Sequence, residues 1–75
     1  MTKDRKKKLN RINDQLGEIC DVMQSILEEE EEARDNTPES LQETDAYYKR
    51  EAACDAMEEA SESVREAISV LEGIL

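Results

Sequence analysis

The residues of this chain that could do chemistry are carboxylates, amines and two thiols. Its 75 residues include 20 Asp and Glu, 10 Lys and Arg and no His, which gives a formal net charge of −10. Without histidine, neither a Ser–His nor a Cys–His nucleophile can form, and the Glu-x-x-His ligands of di-iron bundles are missing. The only glycines, Gly17 and Gly73, stand alone, so no loop can cradle a phosphate. The sequence therefore predicts a protein that is not an enzyme and needs no metal or cofactor.

Charge is concentrated near the start of the chain. The basic end, residues 1–11, carries six cations against Asp4: Lys3, Arg5, Lys6, Lys7, Lys8 and Arg11. Binding of nucleic acid is one interpretation, but no aromatic residues are interleaved, and the remaining acidic chain would repel phosphate. We therefore expect no direct nucleic-acid partner. Instead, we expect the basic end to match acidic residues of the C-terminal half, near Glu62, Glu66 and Glu72.

The acidic excess has two interpretations, a solvated surface or mimicry of nucleic acid. Asp14, Asp21 and Glu28 recur every seven residues, as do Glu51, Glu58 and Glu72 with Arg65 between, and Glu59 and Glu66 lie beside the second row. Such rows could occupy a basic groove built for phosphates. The residues predicted to contact a basic partner protein are Glu28, Glu29, Glu30, Glu31, Glu32, Tyr48, Asp55, Glu58 and Glu59.

Two long helices must position these charges. Apolar residues alternate at spacings of three and four in two segments: Leu9, Ile12, Leu16, Ile19, Met23 and Ile26, then Met57, Ala60, Val64, Ala67, Leu71 and Ile74. This spacing is typical of the a and d positions of coiled coils. Thr2 can cap the first helix, while Thr37–Pro38 and Ser40–Glu43 both offer a start for the second. We predict helices at about 3–34 and 41–74, with a turn at about 35–40, in one domain of residues 1–75.

A short connection makes such helices antiparallel neighbours, which predicts an all-α, coiled-coil-like hairpin. Pairing residues whose numbers add up to 76 brings Leu9 to Ala67, Ile12 to Val64 and Leu16 to Ala60, so that large side chains of the first helix mostly face small ones of the second. It also brings Leu27 near Tyr47 and Cys20 near Cys54. Free buried thiols and a disulfide are the two interpretations of that cysteine pair.

A hairpin alone buries only one stripe of each helix. Further apolar residues widen the apolar side, which favours dimerisation into a four-helix bundle over a monomer with a groove for a partner. The residues predicted for this homodimer interface are Cys20, Leu27, Tyr47, Cys54, Ile68 and Leu75.

Residues 29–42, EEEEARDNTPESLQ, together with the heptads that follow, resemble short acidic proteins of phages, prophages and mobile elements of Gram-positive bacteria. The distinctive positions are Asp35-Asn36, Pro38-Glu39 and Leu41-Gln42, whereas Ala-Cys and Ala-Met pairs stand where the relatives usually have Leu. The resemblance implies an accessory protein of a phage or mobile element, with no known activity to carry over. It raises the expectation of a role against host defence.

The sequence thus predicts a non-catalytic protein that binds another protein, such as a basic, nucleic-acid-binding or defence protein of the host cell. Two alternatives are a structural bundle without an external charged target and a sponge for a small signalling nucleotide, held by Lys6, Lys7, Lys8 and Arg11. No apolar run approaches the roughly 20 residues of a membrane span, and none follows the basic end as in a signal peptide. We therefore expect a cytoplasmic location in the host bacterium and no membrane partner.

Overall fold

The chain folds into two antiparallel helices joined by a short turn. A computed structural model describes residues 1–75, with α1 at Lys3–Asp35, a 3₁₀ turn at Glu39–Leu41 and α2 at Asp45–Glu72. The two helices pack against each other along their length, and the Cα atoms span 59 × 15 × 14 Å. The predicted all-α hairpin is confirmed. Neither helix contains a segment apolar enough to cross a membrane.

Threonine caps begin both helices. The Thr2 hydroxyl accepts a hydrogen bond from the Arg5 backbone N–H at 3.3 Å, as predicted for α1. At α2 the cap is Thr44, whose hydroxyl accepts from the Tyr47 N–H at 3.3 Å. The predicted start near residue 41 is therefore wrong by four positions. Residues 39–41 form their own 3₁₀ turn after Pro38, and the chain needs a second cap before α2 begins.

Side chains of the connection hold it against the end of α1. The Thr37 hydroxyl donates to the Ala33 carbonyl at 2.9 Å, and the Gln42 amide donates to the Thr37 carbonyl at 3.2 Å. These bonds satisfy two carbonyls that a helix end and its turn would otherwise expose to solvent. The connection thereby fixes the point at which α2 turns back along α1.

The helices meet along a seam that differs in phase from the prediction. Four residues are buried: Cys20, Leu27, Cys54 and Ser61, with 8%, 3%, 1% and 1% of their surface exposed. Leu16 and Met23 of α1, and Met57 and Val64 of α2, are half-buried beside them. The predicted seam residues Ile12, Ile19, Ile26, Ala60 and Ala67 are exposed instead. In the observed phase Arg50 of α2 contacts Glu30 of α1, and Arg65 of α2 contacts Gln24 of α1.

The register is also shifted relative to the prediction. Pairing by a sum of 76 places Gln24 opposite Ala52, but Gln24 accepts a hydrogen bond at 3.1 Å from Arg65. It places Glu30 opposite Ala46, but Glu30 pairs at 3.3 Å with Arg50. The connection is also longer than predicted, because α2 begins only at Asp45, and this lengthening shifts the pairing in the same direction.

This register separates the two cysteines. The Cys54 thiol lies close enough to Glu30, Glu31 and Arg34 to feel their charges. Cys20 is ten or more positions further along α1, about 15 Å at the rise of an α-helix. A disulfide needs Cα atoms within about 7 Å. The predicted proximity of Cys20 and Cys54 is wrong, and both are free thiols.

Candidate functional site

The two flanks of the seam have opposite character, so the hairpin has an acidic face and an apolar face. On one flank, residues of both helices line a shallow hollow of ≈330 Å³, among them Glu31, Glu58 and Glu62. The Arg65 guanidinium crosses this hollow to Gln24. Helical spacing extends the flank in both directions along each helix. We define the acidic face by Asp14, Asp21, Glu28, Glu31, Asp35, Glu51, Asp55, Glu58, Glu62 and Glu72.

The opposite flank carries the apolar face. Near the turn, Ala33 and Ala46 line a second hollow of ≈540 Å³, which shows that these flanks of α1 and α2 lie on the same side. Positions one or two heptads away from these alanines are also apolar, and all are exposed. We define the apolar face by Ile12, Ile19, Val22, Ile26, Ala53, Ala56, Ala60, Ala67, Val70 and Ile74.

Few cations compensate the acidic face. Arg34 contacts Glu31 at 3.9 Å and Asp35 at 3.2 Å, and the other ion pairs of the chain, Arg50–Glu30 and Lys8–Asp4, involve no acidic-face residue. Eight of the ten carboxylates therefore have no cation within 4 Å. All ten carboxylates lie over about 35 Å of helix, or roughly one per 3.5 Å, which is about half the linear charge of B-DNA. A face of this kind attracts an extended basic surface.

The residues predicted to bind a partner are divided between this face and other parts of the surface. Glu28, Glu31, Tyr48, Asp55 and Glu58 lie on or beside the acidic face. Glu30 lies at the seam and pairs with Arg50. Glu29, Glu32 and Glu59 are exposed, but their helical positions point away from the acidic face. The structure thus brings about half of the predicted set together.

The residues predicted for a dimer interface lie inside the hairpin. Cys20, Leu27 and Cys54 are buried between the two helices, and Tyr47, Ile68 and Leu75 are half-buried along the same seam. The predicted contact of Leu27 with Tyr47 does not form, because Tyr47 lies beside Arg34 and Asp35 near the turn. Because these residues are buried within one chain, the apolar surface that stays exposed is the apolar face defined above.

Burial and charge shift three pKa values near the turn. A hydrogen bond to Asp35 raises the pKa of Arg34, which keeps this cation charged among its acidic neighbours. Desolvation raises the pKa of the Tyr47 hydroxyl, and the negative charge of Glu51 raises it further. Desolvation likewise raises the pKa of the Cys54 thiol, against the opposing effect of Arg34. Cys54 is therefore a weak nucleophile near neutral pH.

The basic end lies free at the far end of the hairpin. All of its cations are exposed, and its one ion pair is the local contact of Lys8 with Asp4 at 3.1 Å. No ion pair within 4 Å joins it to Glu62, Glu66 or Glu72, so the charge matching predicted with these residues does not form. Five cations at this end remain without a partner in the chain.

The sequence pattern did not predict that Glu31 and Glu62 line the same hollow, or that Arg65 donates a hydrogen bond across it to Gln24. Both features depend on the register of the two helices. The seven-residue repeat of Asp14, Asp21 and Glu28 does continue to Asp35, and this repeat is the signal that marks the acidic face. No group of three or more Cys, Asp or Glu side chains is arranged to hold a metal ion. Comparison with protein-family models, curated proteins and solved structures found no match to the chain.

Proposed function

We propose that this chain is a non-catalytic interaction protein whose acidic face binds a basic surface of another protein, as a mimic of nucleic acid. The observation that carries the proposal is the segregation of ten carboxylates on one flank, eight of them without a cation within 4 Å. A merely solubilising charge would not need to collect on one side of the hairpin. The resemblance of residues 29–42 to proteins of phages and mobile elements suggests a bacterial nucleic-acid-binding or defence protein as the partner.

The proposed partner has a groove that normally follows a phosphate backbone. The carboxylates of Asp14, Asp21, Glu28 and Asp35 recur every seven residues, or about 10.5 Å along α1. Phosphates of one B-DNA strand advance about 3.4 Å per nucleotide along the axis, so each carboxylate stands near every third phosphate position. Association should be fast and sensitive to salt, because screening weakens exposed charge pairs over about 8 Å at physiological ionic strength.

Capture from bacterial lysate tests the proposal with two variants of equal charge. The first neutralises the acidic face with Glu28→Gln, Glu31→Gln, Asp55→Asn and Glu58→Gln. The second changes the same number of acids away from that face, with Glu18→Gln, Glu32→Gln, Glu59→Gln and Glu66→Gln. We expect the wild type and the second variant to retain the same basic protein, and the first variant to lose it.

Adding DNA or salt to the captured complex tests whether binding rests on mimicry of nucleic acid. A duplex DNA oligonucleotide should displace the captured protein, and 0.5 M NaCl should release it. Equal capture by both variants would show that binding follows net charge rather than the acidic face. Retention at high salt or in excess DNA would exclude mimicry as its basis.

A structural protein without an external charged target is the second candidate. The apolar face favours it, because a wide exposed apolar surface is typical of proteins that assemble. Recovery of the bait alone from several host lysates would favour this candidate over the first.

A further inference from the structure

The apolar face is too large and too continuous for a lone hairpin. Six of the nine large hydrophobic residues exposed in the chain lie on it, and each exposes between 45% and 67% of its surface: Ile12, Ile19, Val22, Ile26, Val70 and Ile74. Between residues 12 and 26 of α1, and from Ala53 of α2 to Ile74 just beyond the end of that helix, its heptad positions carry no charge. Small alanines and a serine fill the remaining positions on α2, which leaves room for the side chains of an apposed helix.

The surface area of the hairpin indicates how much is left to bury. A compact monomer of 8.6 kDa exposes about 4,700 Å². The hairpin exposes 5773 Å², about 1,100 Å² more. A standard protein interface covers about 800 Å² on each partner. One interface over the apolar face would therefore bring the chain to the exposure of an ordinary folded protein.

The charges at the two ends of α1 indicate which molecule covers the apolar face and in which direction its helices run. The basic end precedes the apolar stretch, and the run Glu28–Glu32 follows it. Most cations of the basic end have no ion-pair partner within the chain. The same is true at the other end of α1 for Glu28, Glu29 and Glu32. A second α1 in antiparallel orientation brings each basic end to an acidic run, whereas a parallel one would oppose like charges at both ends.

We propose that the apolar face is the interface with a second copy of this chain, related by a two-fold axis near Ile19 that packs α1 on α1 and α2 on α2, both antiparallel. Ile12 then faces Ile26 of the second copy, and Lys8 lies at the level of the acidic run of the second copy, near Glu29. This arrangement is isologous and closed, so it stops at two chains.

The α2 helices fit the same axis. Cys54 lies beside Glu30, so the level of Ile19, eleven positions earlier on α1, corresponds to Arg65 on the antiparallel α2. The axis therefore sets Ala60 opposite Val70 of the second copy, and Ala56 opposite Ile74. Small residues meet large ones on α2 without having been used to choose the register. The acidic face points outward, so this dimer forms whether or not that face binds a partner.

Light scattering of the purified full chain tests the oligomeric state. The wild type at 100 µM should have a mass of about twice 8.6 kDa. Ile19→Glu should weaken dimerisation at least about 100-fold, because each dimer carries the change twice at its axis. Ser25→Glu adds the same charge on the outer surface of α1 and should leave the mass unchanged. A wild-type mass of one chain, or equal masses for both variants, would overturn the proposal.

Oxidative cross-linking tests the direction and stays informative if Ile19→Glu fails to fold. In a chain with Cys20 and Cys54 changed to Ala, Ile19→Cys alone should form a covalent dimer. Ile12→Cys alone and Ile26→Cys alone should not, whereas a mixture of the two should. Cross-linking of each of the three variants with itself would indicate parallel helices, and absence of all cross-links would place the interface elsewhere. Either result would overturn the proposed arrangement.

Discussion

Ser61 offers a sharp test of the observed helix phase, because its hydroxyl is buried without a partner. Only 1% of the residue is exposed, and its Oγ makes no hydrogen bond. A buried polar group without a partner costs about 1–3 kcal/mol, which Ser61→Ala removes. The same change gains up to about 0.5 kcal/mol of helix propensity. We expect Ser61→Ala to increase the free energy of unfolding by about 1.5 kcal/mol or more.

Ser25→Ala is the matched control, because Ser25 is exposed on the outer surface of α1 and lies on neither face. It should gain only the propensity, up to about 0.5 kcal/mol. For a domain of this size, 1 kcal/mol corresponds to about 4–8 °C in Tm. Thermal melts followed by far-UV circular dichroism at one protein concentration should therefore separate the variants by at least about 4 °C. Equal shifts would show that the Ser61 hydroxyl is either solvated or hydrogen-bonded, and that the seam is not as described.

Three further outcomes follow from the seam. Leu27→Ala should lower the free energy of unfolding, measured with urea, by about 2–4 kcal/mol. Leu41→Ala shortens a half-exposed leucine in the 3₁₀ turn and should lower it by less than half as much. Equal losses would contradict the burial of Leu27. Stability should fall as pH rises above about 8.5, because the raised pKa values of Cys54 and Tyr47 keep both groups neutral in the folded chain while they ionise in the unfolded one. Thermal melts from pH 7 to 10 measure this loss, and Cys54→Ala should reduce it; a Tm that stays flat in the wild type would contradict it. Alkylation of Cys54 at pH 8 should be at least tenfold slower in buffer than in denaturant, by mass spectrometry, and equal rates would contradict its burial.

The spacing of apolar residues predicts both helices and the hairpin, but not which flank of each helix turns inward. Leu16 and Met23 of α1 belong to two overlapping heptad seams, one completed by Ile19 and Ile26 and the other by Cys20 and Leu27. Isoleucine is the more apolar choice, so the sequence favours the first seam, whereas the structure uses the second. The observed seam is accompanied by cross-helix contacts such as that of Arg65 with Gln24, which join residues far apart in the sequence and are not revealed by apolar periodicity.

The register and the candidate site were predictable to different degrees. The sequence offers Thr37–Pro38 and Ser40–Glu43 as predicted starts for the second helix, whereas the observed cap of α2 is Thr44. The seven-residue repeat of Asp14, Asp21 and Glu28 places these three carboxylates in one row of α1 whatever the register of the two helices. Glu29, Glu32 and Glu59, which were also predicted as partner contacts, occupy helical positions outside the acidic face.

The spectroscopic signals that follow unfolding come from different parts of the chain. Its only aromatic residues are Tyr47 and Tyr48, whose rings lie 6.2 Å apart in an edge-to-face arrangement at the turn end of α2. All ultraviolet fluorescence and near-UV dichroism therefore come from one end of a molecule 59 Å long, while far-UV dichroism averages over both helices. Loss of the tyrosine signal ahead of the helical signal would reveal opening from the turn, and coincidence of the two would mark the hairpin as a single cooperative unit.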